Sequence, residues 1–137
     1  MKINRAKQLL KDATLALING ERVCVYNERG IKTLLSLLQD DPQLLENATV
    51  ADKIVGKAAA YLMVKGGVKE VYAETISERA IEVFRLYQIP VTFGVRTLQI
   101  VNRSGTGPCP MESTVEDIDD IELAFEALKQ KVKALNG

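Results

Sequence analysis

The residues best equipped for chemistry crowd into one stretch, "NRSGTGPCPMES", residues 102–113. Cys109 offers a thiol nucleophile, Glu112 a proton carrier and Arg103 a permanent positive charge. Pro110 pushes Cys109 out of helical geometry and itself suits the first position of a helix. Cys109 is thus a candidate N-cap. Glu112 then falls at the third helical position, where its carboxylate can reach back to the Cys109 backbone N–H as in a capping box. A thiol at that station faces the positive end of a helix dipole, which favours thiolate. Gly105-Thr106-Gly107 can offer backbone N–H groups to an anion beside Arg103, although the Lys-Ser/Thr of a P-loop is missing. Each feature also has a structural reading: Cys109 as a small buried hydrophobe, Glu112 as a cap, the glycines as a loop that needs positive φ.

A second group lies in "NATVADKIVGKAAAYLMVKGG", residues 47–67. The pattern predicts a helix with Thr49 as N-cap and Asp52 at the third position, a capping box with Asp in place of Glu. Lys53 and Lys57 then stand one turn apart on an otherwise apolar helix. Asp52 and Lys53 are candidates for proton transfer, and Lys57 for ligand binding. Their structural reading is a dipole-stabilising acid and two solvated amines.

What the chain lacks is as informative. It contains no histidine, so a Ser-His-Asp triad, a Cys-His pair and any zinc site that needs imidazole are excluded within one chain. Cys24 and Cys109 cannot build a cysteine-rich metal site or a disulfide framework, and no metal or cofactor is expected. The 18 basic and 18 acidic residues cancel without a basic stripe or arm, which argues against nucleic acid as a partner. Charges are threaded through the N-terminal twenty residues, and no apolar run approaches the ~18 residues of a membrane span. The expectation is a cytoplasmic chain with no membrane partner.

At 137 residues the chain fits a single domain, 1–137, able to bury its own core. Ile3, Ala6, Leu9 and Leu10 have helical spacing. Asn19-Gly20 between "TLALI" and "ERVCVY" predicts a tight hairpin. Ile31, Leu34, Leu35 and Leu38 mark a helix that Asp41-Pro42 stops. "VKEVYAETI" reads as a strand, followed by a helix capped by Ser77 that buries Ala80, Ile81 and Phe84. After Pro90, "VTFGV" is a strand. Its apolar parity changes between Val95 and Leu98, which predicts a bulge or turn over residues 94–97 before "LQIV". Ile121, Ala124, Phe125, Leu128, Val132 and Leu135 stripe a final helix over 118–135. This order implies a three-layer α/β/α sandwich with a mixed sheet. The helix containing Ala58, Ala59 and Ala60 is apolar nearly all round, and a homo-oligomer, dimer or larger, is expected to cover it.

Two motifs, Asp52-Lys53-x-x-Gly56-Lys57-Ala-Ala-Ala and Gly105-Thr106-Gly107-x-Cys109-Pro110-Met111-Glu112, run in a chain that resembles a small bacterial family of unknown function with the cytidine-deaminase-like fold. The resemblance covers almost the whole chain and implies a pocket where helix N-termini converge. True zinc deaminases carry H-x-E at the helix after the hairpin and P-C-x-x-C at the next. Here those places read Ala51-Asp52-Lys53 and Thr75-Ile76-Ser77-Glu78, without a zinc ligand set, so zinc deamination is rejected.

Three roles follow. The first is binding or sensing of a nucleotide-like or other polar metabolite by Asp52, Lys53, Arg103 and the loop from Gly105 to Glu112. The second is a metal-free enzyme with Cys109 as nucleophile and Asp52, Lys53 or Glu112 as proton carrier. The third is a structural oligomer subunit. Convergence of Asp52, Lys53 and Cys109 in one cleft would decide among them.

Overall fold

A hairpin opens the sheet in the computed structural model, which describes residues 2–101, 105, 107 and 109–136, the last without its side chain. Strand β1 (Leu15–Asn19) pairs with β2 (Arg22–Tyr26) and closes on an Asn19↔Arg22 pair. The two loop residues are therefore Gly20 and Glu21, with Gly20 at φ 60° in the place that a type II′ turn reserves for glycine. Asn19 does not supply the turn. Its amide instead donates to the carbonyls of Gln43, Leu44 and Glu46 at 3.2, 2.9 and 2.8 Å, fastening the hairpin to the chain after α2 (Gly30–Asp40).

Residues 49–55 form strand β3 (Thr49–Val55), not the start of a helix. The capping-box pattern loses to pairing on both sides, antiparallel with β1 and parallel with β4 (Glu70–Ser77), to which the β-branched Thr49, Val50, Ile54 and Val55 are suited. Helix α3 (Lys57–Gly66) begins only after Gly56. Strand β5 (Val91–Thr97) completes the order β2-β1-β3-β4-β5, with β3, β4 and β5 parallel. No bulge interrupts β5, which pairs with β4 from Val71↔Val91 to Ser77↔Thr97. Gly94 answers to a close approach: a Cβ there would lie 2.9 Å from the Glu74 carbonyl oxygen and 3.3 Å from the Tyr72 hydroxyl. The change of apolar parity marks the end of the strand, and Leu98 beyond it is 81% exposed.

Helices cover both faces unequally. Leu15, Leu17, Val50, Val71 and Ala73 form one core with α2, α3, α4 (Glu78–Leu86), α5 (Pro110–Val115) and α6 (Ile121–Asn136). On the opposite face Ala16, Ile18, Ala51 and Tyr72 meet Ala6 and Leu10, from α1 (Lys2–Leu9) and the turn after it. The mixed sheet between helical layers is the arrangement expected from the sequence. Helix α3 lies among α2, α4 and α6, and every residue from Lys57 to Met63 is buried. Its all-round apolar character is thus met within the chain, and the homo-oligomer inferred from it loses that support. No helix of the described residues is long and apolar enough to cross a membrane.

Candidate functional site

Parallel strands deliver their helices from one end of the sheet, so α3 and α4 begin side by side beyond β3 and β4. Helix α5 lies against α3, and Cys109 is its N-cap with Glu112 at the third position. The carboxylate does not turn back to Cys109, whose backbone N–H donates to the Ile100 carbonyl at 3.1 Å. Glu112 caps α3 instead: Oε1 accepts the Lys57 N–H at 2.7 Å and Oε2 the Ala58 N–H at 2.8 Å. Two backbone donors at the positive end of a longer helix satisfy both carboxylate oxygens, which a capping box of its own helix could not. Burial pushes the Glu112 carboxyl up from its ordinary value, opposed by those two N–H groups and by the charges of Lys57 and Arg79.

Beside this contact a cleft of about 310 Å³ opens between α4, α5 and the chain leaving β5. Lys57, Ser77, Arg79, Glu112, Ser113 and Glu116 provide its polar walls, and Leu98 and Ile100 an apolar one. Lys57 is 6% exposed; its Nζ donates to the Glu116 carbonyl at 3.1 Å and lies 3.7 Å from Asp119 Oδ1. Arg79 Nη1 donates to the same carbonyl at 2.8 Å. Ser77 caps α4 by accepting the Ala80 N–H at 3.1 Å. Glu78 is engaged by Arg96, whose Nε and Nη2 reach its two oxygens at 2.5 and 2.7 Å and hold its carboxyl below the ordinary range.

The expected site residues are divided by the sheet. Lys57 and Glu112 line the cleft. Lys53 projects from the opposite face, where its Nζ donates to the Lys11 carbonyl at 3.3 Å. Asp52, the preceding residue of a strand, shares the face of Val50 and is 3% exposed. Its Oδ1 accepts the Ile54 N–H at 3.3 Å, and Oδ2 has no hydrogen-bond partner among the described residues. A side chain on residue 30, the first of α2, would begin 3.0 Å from that oxygen. Burial pushes the Asp52 carboxyl up to about 7. Cys109 is half-buried and packs on the main core rather than lining the cleft. Asp52, Lys53 and Cys109 therefore do not converge. Gly105, at φ 72°, and Gly107 are not among the cleft residues, while Arg103 and Thr106 lie outside the described residues. Arg79, Ser113 and Glu116 join the cleft without having been expected. For Arg79 the signal was position, two residues past a cap at the carboxyl end of a parallel strand.

The profile of a domain of unknown function, DUF1893 (TM1506), matches residues 5–132. The chain belongs to the DUF1893 family. The crystal structure of a DUF1893 family protein (TM1506) from Thermotoga maritima is similar to it, with a TM-score of 0.85 and 26% identity over 94% of this chain and 88% of that one. A diaminohydroxyphosphoribosylaminopyrimidine deaminase/5-amino-6-(5-phosphoribosylamino)uracil reductase from the same organism aligns with a TM-score of 0.45 and 19% identity over 67% of this chain. The DUF1893 chain covers 35% of that protein's length. No curated protein matches.

Deaminase-type zinc requires thiolate or imidazole at the two helix starts and a carboxylate free to move protons. In this DUF1893 chain the first start is Gly56-Lys57-Ala58, since Asp52 lies within β3, and the second is Ser77-Glu78-Arg79. Neither supplies such a donor, the buried Lys57 brings a positive charge to the place, and Glu112 is committed to backbone N–H groups. Among the described residues no three His, Cys, Asp or Glu side chains are grouped to hold a metal. The residues present do not fit a zinc ion.

Proposed function

We propose that this DUF1893 protein binds a small polar metabolite in the cleft between α4 and α5. The reading is carried by the convergence of Arg79 and Lys57 with Ser113, Glu116 and an apolar wall from Leu98 and Ile100, at the carboxyl ends of parallel strands. A ligand carboxylate or phosphate would face Arg79, which gives one of its five donors to the Glu116 carbonyl. Ligand hydroxyl or amino groups would face the Glu116 side chain and Ser113. A flat apolar portion, such as a nucleobase, would lie on Leu98 and Ile100.

A metal-free enzyme with Cys109 as nucleophile is supported less well. Of its three proton carriers, Lys53 is on the other side of the sheet, Asp52 is buried toward α2, and Glu112 caps α3.

The test is titration of nucleoside 5′-monophosphates and short dicarboxylates, followed by calorimetry and thermal shift. The exposed Ser113 allows Ser113→Phe to fill the cleft, and Arg79→Gln removes its charge. Saturable binding lost in Ser113→Phe and weakened at least about tenfold in Arg79→Gln is expected. Binding that both variants leave unchanged would refute the assignment.

A further inference from the structure

We infer a second site, for a compact phosphate-bearing anion, in the groove on the opposite face of the sheet between α1 and β4. Because α1 is the helix packed on that face, a groove of about 670 Å³ remains open beside it, large enough for a small molecule. Among the described residues Lys7, Lys11 and Lys53 line it, against one carboxylate, Glu74. That is three positive charges to one negative in a chain whose 18 basic and 18 acidic residues cancel.

The three lysines come together from separate elements. Lys7 and Lys11 stand one turn apart on α1 and the turn that follows, while Lys53 rises from β3. Like charges so placed repel. None of the ion pairs among the described residues involves any of the three, and Glu74 is not within 4.0 Å of them. The groove is also shaped. The Lys11 carbonyl accepts from Lys53 Nζ at 3.3 Å, and Lys7 Nζ sits 4.8 Å from the centre of the Tyr72 ring. The amides of Asn4 and Gln8 stand on the same rim and add neutral donors.

Lysine ammonium groups bind phosphate as point charges, and several at one groove suit an anion carrying more than one negative charge. The Tyr72 ring has a lysine over it, so the recognised part is the phosphate and not a stacked base. This site is independent of the cleft between α4 and α5, and the test keeps them apart.

Inorganic pyrophosphate is titrated calorimetrically into the full chain, with adenosine triphosphate and adenosine as further arms. One pyrophosphate per chain is expected, with affinity falling as salt rises. Adenosine triphosphate should bind in the same place and adenosine should not. Each of Lys7→Gln, Lys11→Gln and Lys53→Gln should weaken pyrophosphate about fivefold, and the triple variant should abolish binding while keeping the wild-type circular dichroism and melting curve. Ser113→Phe, which fills only the cleft between α4 and α5, should leave the pyrophosphate affinity unchanged. Absence of saturable pyrophosphate binding, binding that survives the triple variant, or binding lost in Ser113→Phe would overturn the inference.

Discussion

Glu112 and Gly56 are complementary in the strict steric sense: a Cβ on residue 56 would sit 2.3 Å from Glu112 Oε1. The missing side chain is what lets a carboxylate 56 positions away reach the first N–H groups of α3. This contact fastens the segment after β5 to the start of α3 and forms one wall of the cleft.

Gly56→Ala should therefore destabilise the protein although its backbone, at φ −105° and ψ −173°, is open to alanine. The added methyl must expel the carboxylate. Glu112→Gln should cost about 1.5–3 kcal/mol, because an amide can accept only one of the two N–H groups and opposes the other. Chemical denaturation of both single variants and the double variant checks the link. The double should cost clearly less than the sum, since the second change removes what the first has already broken.

Stability contributed by Asp52 should fall as pH rises from about 4 to about 7. Asp52 takes up its proton near 3.8 in an unfolded chain and near 7 when buried in the folded one. Between those values the folded state holds the extra proton. The stabilisation is complete below 3.8, is lost as pH climbs, and levels off above about 7. The whole fall approaches about 4 kcal/mol, at about 1.4 kcal/mol for each tenfold change in proton affinity. Glu112, raised in the same direction by burial, adds to it. Melting temperatures across this range should show the decline, and Asp52→Asn should flatten most of it and stabilise the protein at pH 8.

Cys109 should behave as a structural corner. Its side chain packs on the core, its N–H donates to Ile100, and its carbonyl accepts the Ser113 N–H at 3.0 Å. Cys109→Ser should cost about 1 kcal/mol or more in urea denaturation, and iodoacetamide should modify Cys109 far more slowly in the native protein than in urea. Rapid native alkylation with unchanged stability would restore the nucleophile reading.

Chelation should leave the protein unmoved. The two helix starts carry glycine, lysine, serine and arginine where zinc would need thiolate or imidazole. Melting curves with and without EDTA should coincide, and metal analysis should find less than one zinc per chain. A stoichiometric, tightly held zinc would contradict this.

Much of the architecture was legible along the chain. The stripe of Ala124, Phe125 and Leu128, the Ser77 cap and the stop at Asp41-Pro42 are local signals, each decided by neighbours within a few residues. The absence of histidine excluded every zinc site that needs imidazole without coordinates, because missing ligand atoms cannot be supplied by folding. Pro110 likewise announced a helix start at Cys109.

Other questions depended on what lies across space. Thr49 to Asp52 has the local grammar of a helix start, and only pairing with β1 and β4 makes it a central strand. That one change sends Asp52 and Lys53 to opposite faces, because successive strand residues alternate. It also separates two candidate partners by the thickness of the sheet. Glu112 was recognisable as a cap, but not as the cap of α3, since its donors lie 54 and 55 positions away. Residue types and local spacing thus determined the helix stops and caps of this DUF1893 chain and the imidazole-dependent chemistry it lacks. Tertiary structure decided which side chains share a cleft, because strand pairing and helix packing join residues whose separation in sequence leaves no local trace.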